Sequence, residues 1–313
     1  MIDENAFVIV DPQANLPFSK GLMAQSLMAT GLQPERAYEV AAAVERSLRR
    51  TGGSAVTLAK LRMIARDKLG QADGDILIEN FIQWQQLRRL ERPLIILIGG
   101  TTGVGKSTLA TQVAHRLGIV RITSTDTIRQ VMRAFFSVDL MPAIHTSSFD
   151  GAAAVRVPMP SGTDLSRIGF IEQTESVCVG IEAVVARAIE ETQSMVLEGV
   201  HVVPGFLDHS RWREALVLEF VLSVSDADHH RTHFTVREYD TGGIRPLQGY
   251  LEHFAQIRRI QKYILGRALQ HDVTVIDNLD IDASVRAVMT VILQAVSEYQ
   301  QPADEQRAAP AEE

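Results

Sequence analysis

Apolar residues recur with two different periods along this chain, and the change from one to the other divides it. Ala37, Val40, Val44 and Leu48 fall at steps of three and four, as do Leu77, Phe81 and Trp84, a series that closes on the charged Arg88. Side chains at such steps share one face of an α-helix. A short strand from Phe7 to Val10 precedes these helices, Gly52-Gly53-Ser54 breaks one of them, and Thr57 is placed to cap the next. Residues 1–90 therefore read as a small, mostly helical domain.

At Arg92-Pro93 the pattern changes. Leu94, Ile95, Ile96, Leu97 and Ile98 follow one another without a polar residue, as in a parallel strand buried on both faces. Further strand signals lie at Val120–Ser124, Met195–Val200, Leu216–Val224 and Val273–Asp277, with helical spacing between them. Val177, Ile181, Val184 and Ala188 mark the clearest of the intervening helices. Alternation of this kind predicts an α/β domain over residues 91–300, a parallel sheet between two layers of helices. The stretch 301–313, rich in Ala, Pro, Glu and Gln, reads as a disordered tail.

Composition narrows the classes of function. The 313 residues exceed one typical core, in keeping with two domains. A formal charge of -7 argues against a broad electropositive surface, so neither nucleic acid nor an anionic membrane is an expected partner. Cys178 is the only cysteine, which excludes an intramolecular disulfide and suits a reducing compartment. Met1 to Asn5 lacks a cationic start, and no apolar run reaches spanning length. A soluble, cytoplasmic protein is expected, with a homo-oligomer left open.

The strongest chemical signal is Gly100-Thr101-Thr102-Gly103-Val104-Gly105-Lys106-Ser107, which satisfies G-x-x-x-x-G-K-[ST] between a buried strand and a helix. Spelling and context together predict a fold of the P-loop NTPase type, with a three-layer αβα parallel sheet. Glycines let the backbone curl so that its N–H groups surround phosphate oxygens, and the following helix N-terminus adds positive potential. Lys106 then reaches the β- and γ-phosphates, and the Ser107 hydroxyl ligates Mg²⁺. Thr108, the next residue, completes the ATP-binding set.

Other candidates surround this loop. If a helix begins at Asp126, then Asp126, Arg129 and Arg133 share one face suited to an anionic acceptor, the carboxylate orienting or deprotonating a hydroxyl. The alternative makes Asp126 an N-cap and the arginines a solvated surface. Glu198 ends a buried strand where open α/β sheets bind ligands, and as a metal-side acid it would hold metal-bound water, the acceptor, or only the strand end. Arg231, Arg237 and Arg245 follow the fourth strand, where a lid would bring positive charge to the transition state. His229, His230 and His233 lack metal-site spacing and read as solvated or phosphate-facing. Arg258 and Arg259 read as a charged helix face.

These segments resemble the 2-phosphoglycerate kinase family. The likeness runs through Pro17 to Leu22, Pro93 to Gly100, Thr125 to Arg133, Glu198 to Phe206 and Val275 to Asn278, in the same order. It implies ATP-dependent phosphorylation of 2-phosphoglycerate on its 3-hydroxyl, giving 2,3-bisphosphoglycerate and ADP. Leu140 to Ser148 resembles a family loop, which implies acceptor contacts from His145 or Ser148. Residues 1–90 are similar to an ATP-cone, with Val10 to Asn15 where nucleotide-binding cones usually carry a basic pair; a structural role is as open as a nucleotide-binding one. Read from the residues alone, other hydroxyl acceptors (a sugar acid, a nucleoside, an antibiotic) and a noncatalytic ATP-responsive regulator remain as alternatives.

Overall fold

A computed structural model of the chain describes residues 7–8, 19–51, 56–87, 90–240 and 247–308, excluding the side chains of 7–8, 86–87, 236–240 and 300–308. Val10 to Asn15, Pro17-Phe18 and the Gly52-Gly53-Ser54 break lie outside these residues. Two compact units divide the chain: Met1–Glu91 with Arg286–Glu313, and Arg92–Val285.

The first unit pairs strand β1 (Phe7–Val8) antiparallel with β2 (Val56–Thr57) and packs helices α1 (Lys20–Ala29), α2 (Pro34–Thr51), α3 (Leu58–Leu69) and α4 (Gln71–Leu87). Thr57 caps α3, its hydroxyl accepting from Lys60 N at 3.2 Å. The predicted stripe is the buried one: Ala37, Val40, Val44, Leu48, Leu77, Phe81 and Trp84 join one apolar cluster. Leu293 belongs to the same cluster. It lies on α11 (Ile281–Ala308), which explains why the chain from Arg286 onward groups with the N-terminal helices. The helix runs past Gln301, where composition places the start of a disordered tail. Apart from Pro302, which opposes it, this stretch holds good helix formers in Ala, Glu, Gln and Arg, and an established helix extends more easily than a new one nucleates.

In the second unit, β3 (Leu94–Gly99), β4 (Arg121–Ser124), β5 (Met195–Glu198), β6 (Leu216–Ser223) and β7 (Thr274–Asp277) form one parallel sheet in the order β4-β5-β3-β6-β7. Every residue of β3, the central strand, is buried. Between the strands run α5 (Lys106–Leu117), α6 (Thr125–Phe135), α7 (Leu165–Glu190), α8 (Ala227–Asp240), α9 (Leu247–Glu252) and α10 (Phe254–Gln270). Ile95, Leu97, Met195 and Leu197 pack against Val177, Ile181 and Val185 of α7. The alternate residues Ile96, Ile98 and Val196 are buried as well, and α5 runs along β3, β4 and β5. The result is the three-layer α/β architecture of P-loop proteins, with the predicted strands in place. Because all five strands are parallel, Gly99, Ser124, Glu198, Ser223 and Asp277 end at one edge, and the functional candidates converge there.

Candidate active site

The loop between β3 and α5 is shaped by its glycines. Gly105 is the N-cap of α5 in the left-handed region, φ 87°, which an L side chain rarely adopts. At Gly103, φ 85°, an added Cβ would run into the Phe234 ring, so only glycine admits both the turn and the neighbour. Four consecutive carbonyls of this loop accept side-chain N–H donors. Lys106 Nζ donates to Thr101 O at 2.7 Å, His230 Nε2 to Thr102 O at 2.9 Å, His233 Nδ1 to Gly103 O at 2.8 Å and Asn278 Nδ2 to Val104 O at 2.9 Å. Ser284 in turn donates to Asn278 Oδ1 at 2.8 Å. His230, wholly buried, and His233 are thus turned to the loop backbone, which corrects their reading as solvated or phosphate-facing groups. A carbonyl offers only lone pairs, so each bonded ring nitrogen must carry the proton. Among the described residues no three His, Cys, Asp or Glu side chains gather as a metal cage.

Lys106 sits among carboxylates. Burial pulls its ammonium below the usual lysine range, while the charges of Glu198 and Asp126 act in the opposite direction. Glu198 is 7% exposed and accepts from Ser107 Oγ at 2.9 Å. Hydroxyl and carboxylate oxygens side by side suit a small hard divalent cation, which takes few protein ligands and fills its shell with water and phosphate oxygens. Thr108 follows on the exposed side of α5.

At the start of α6, Ser124 rather than Asp126 is the cap, accepting from Thr127 N at 3.1 Å. The Asp126 carboxylate is therefore not consumed as a cap; its side chain is 54% exposed and meets Arg129 Nη2 at 3.3 Å. Arg129 also donates from Nη1 to Ile144 O at 3.1 Å and Thr146 O at 2.8 Å, so it holds the segment after α6 in place. Arg133 is exposed and donates to Gln130 Oε1 at 3.3 Å. His145 is turned to its own loop, its Nε2–H donating to Phe136 O at 2.9 Å, and Ser148 is buried.

Sequence reasoning missed the buried network behind these groups. Thr125 Oγ1 donates to His201 Nδ1 at 2.8 Å, and His201 Nε2 donates to Gln173 Oε1 at 2.9 Å. The Gln173 amide then donates to Ala143 O at 2.5 Å and Thr146 O at 3.0 Å. Burial lowers His201 to about 3, the nearby Asp126 charge opposing and those of Arg129 and Lys106 adding to the shift. A neutral ring has one donor and one acceptor, and both are used here. His201 was legible only as part of the Glu198 to Phe206 stretch; nothing in its spacing marks a link to Gln173.

The lid candidates are dispersed. Arg231 on α8 pairs with Asp228 at 2.6 Å and lies over the Phe254 ring at 4.3 Å. Arg237 falls within α8, but its side chain, like the whole of Arg245, lies outside the described residues. Arg258 differs from its reading as a charged face: it donates to Val224 O at 2.6 Å and Ser225 O at 2.9 Å, tying α10 to the turn after β6. No helix among the described residues is long and apolar enough to cross a membrane.

No family model matches the chain. Curated relatives do, over most of their length. The 2-phosphoglycerate kinase of Methanothermobacter thermautotrophicus is 41% identical over 273 residues, covering 87% of this chain and 89% of that protein. The enzyme of the same name from Methanopyrus kandleri is 38% identical over 277 residues, with 88% and 84% covered. That from Pyrococcus furiosus is 34% identical over 288 residues, with 92% and 93% covered. With the G-x-x-x-x-G-K-S loop, the Ser107–Glu198 pair and Asp126 at one sheet edge, and with likeness spread over nearly its whole length, the chain belongs to the 2-phosphoglycerate kinase family, a family of ATP-dependent small-molecule kinases.

Proposed function

We propose that this chain transfers the γ-phosphoryl group of ATP, with Mg²⁺, to the 3-hydroxyl of 2-phosphoglycerate, giving 2,3-bisphosphoglycerate and ADP. The observation that carries the reading is the shared field at Lys106: one ammonium feels both Glu198, bonded to the Ser107 hydroxyl, and Asp126 on the acceptor side. A nucleotide-sensing loop has no need of the second carboxylate. Curated relatives named for this reaction supply the acceptor.

The chemistry is assigned to Arg92–Val285, which contains all of these groups. Backbone amides of Gly100 to Thr108 hold the triphosphate, and Lys106, released from Thr101 O, follows the moving charge. Ser107 and Glu198 hold the cation, which when bound neutralises phosphate charge. Asp126 accepts the proton of the attacking hydroxyl as its oxygen bonds to the γ-phosphorus and the bridge to ADP breaks. Arg129 keeps the 142–146 segment in register with α6, Arg133 offers its exposed guanidinium to the acceptor's anions, and His145 and Ser148 shape the wall behind it. Arg231, Arg237 and Arg245 supply lid charge. A reducing, cytoplasmic setting suits Cys178, whose thiol burial pushes up to about 12 and so keeps protonated.

The test is direct. Purified full-length protein with ATP, Mg²⁺ and 2-phosphoglycerate should yield ADP and a doubly phosphorylated acid by mass spectrometry. A panel of other sugar acids and nucleosides run alongside should turn over far more slowly. ADP formed with another acceptor and not with 2-phosphoglycerate would displace the substrate assignment.

A further inference from the structure

The back of the phosphate loop is held by a helix that belongs to another part of the fold. Helix α8 follows β6, and its His230, His233 and Phe234 all bear on the loop tip, Thr102-Gly103. The Phe234 ring occupies the space that a side chain at Gly103 would need, and it stacks on His230 with centroids 5.2 Å apart. His230 Nδ1 is buried and without a hydrogen-bond partner among the described residues, so the Thr102 carbonyl is where that ring makes its polar bond.

Peptide geometry turns these contacts into a statement about the other side of the loop. A trans peptide is planar, and its C=O and N–H point in opposite directions. No peptide bond among the described residues is cis. The carbonyl of Thr102 shares its plane with the N–H of Gly103, and the carbonyl of Gly103 shares its plane with the N–H of Val104. Fixing the two oxygens toward α8 therefore aims the two amides away from α8. In a phosphate loop, amides so aimed are the groups that meet phosphate oxygens.

We propose that His230 and His233 are positioning residues of the ATP site: each imidazole N–H locks one peptide plane of the loop tip so that the amides of Gly103 and Val104 face the phosphates, and the pair ties that arrangement to the position of α8. The inference rests on the nucleotide-binding part of the functional reading and not on the identity of the acceptor.

The two rings donate through different nitrogens, and this gives the test its form. An asparagine amide reaches the place of Nδ1, whereas a glutamine amide reaches the place of Nε2. At His233, which donates through Nδ1, His233→Asn keeps the bond, and His233→Gln and His233→Leu lose it. At His230, which donates through Nε2, His230→Gln keeps it and His230→Asn loses it. Calorimetry of full-length protein with a nonhydrolysable ATP analogue and Mg²⁺ should show nucleotide Kd raised on the order of tenfold in H233L and H233Q, the scale of one hydrogen bond, with H233N within about twofold of wild type. The rescue should reverse at His230, and the acceptor KM should stay unchanged throughout. Equal Kd in the asparagine and glutamine variants would overturn the proposal, as would an H233L protein that melts earlier but binds nucleotide normally. If H233L does not fold, the comparison of H233N with H233Q still decides. A wild-type protein that binds the analogue but ignores 2-phosphoglycerate leaves this test intact and refutes only the acceptor; one that binds no nucleotide overturns both.

Discussion

Replacing Glu219 with glutamine should stabilise the protein at pH 8 and leave it unchanged at pH 4. Glu219 lies mid-strand on β6, in register with Leu97 on the sheet face covered by α7, and its side chain is 5% exposed. His209 Nε2 is 3.3 Å from one carboxylate oxygen, yet no hydrogen bond joins them, and Oε1 has no partner among the described residues. Desolvation pushes the carboxyl up to about 7 from the ordinary 4.5, and burial lowers His209, so below about pH 7 the pair is neutral rather than ionic. A folded-state pKa above the unfolded value means that the native state binds the proton more tightly. The resulting stability is complete below about pH 4.5 and is lost as pH rises through about 7. A gap of about two and a half units at 1.36 kcal/mol each is about 3 kcal/mol, a large share of a typical 5–15 kcal/mol. Glutamine removes the titration and keeps the volume. Urea unfolding at a series of pH values should give E219Q an advantage that grows from nothing at pH 4 to about 3 kcal/mol at pH 8. His201 and His230, lowered by burial to about 3 and about 4, impose the opposite slope, but on both proteins equally, so they drop out of the difference. A difference that does not vary with pH would refute the reasoning. A variant weaker than wild type at pH 8 would show instead that the ionised Glu219 is compensated by a charged His209.

The remaining predictions concern turnover. Asp126→Asn should lower kcat by about 10²–10⁴-fold while leaving nucleotide affinity unchanged; undiminished kcat in a steady-state assay would remove the carboxylate from the reaction. Arg129→Ala frees the Ile144 carbonyl and leaves Thr146 O only its Gln173 donor, so the KM of the acceptor should rise well above its wild-type value while that of ATP moves little. Separate titrations of the two substrates check this, and the reverse split would place Arg129 on the nucleotide side. Glu198→Gln should raise the Mg²⁺ concentration needed for half-maximal rate by about 10–100-fold, and an unaltered metal titration would leave Glu198 only its bond to Ser107.

How far these features can be read in the sequence depends on whether the chemistry is written in neighbouring residues. A phosphate cradle is a short stretch of backbone, so Gly100 to Ser107 announces itself by spelling, and its strand by the unbroken run Leu94 to Ile98. Boundaries yielded too, since Thr57 caps α3 as its position suggests. At α6 the alternative reading made Asp126 the cap, and the structure gives that role to Ser124 instead. Such local competition leaves no trace in the periodicity. The histidines of α8 were misjudged for a related reason: polarity and spacing show that a ring is available to something, but not that its partner is a carbonyl 128 positions away.

The network around α6 illustrates the limit most clearly. Thr125, Gln173 and His201 come from three separate elements and meet only because parallel strands deliver their ends to one edge. Their hydrogen bonds close on Ala143 and Thr146, and Arg129 closes on Ile144 and Thr146 from the other side. The segment from Ala143 to Thr146 is thus fixed through its backbone by two independent donors, neither adjacent to it in sequence. A wall held that way can vary its outward side chains while keeping its place. The place of that segment is then set by main-chain bonds to Gln173, which His201 orients, and to Arg129, and single-residue patterns in the loop carry little of it.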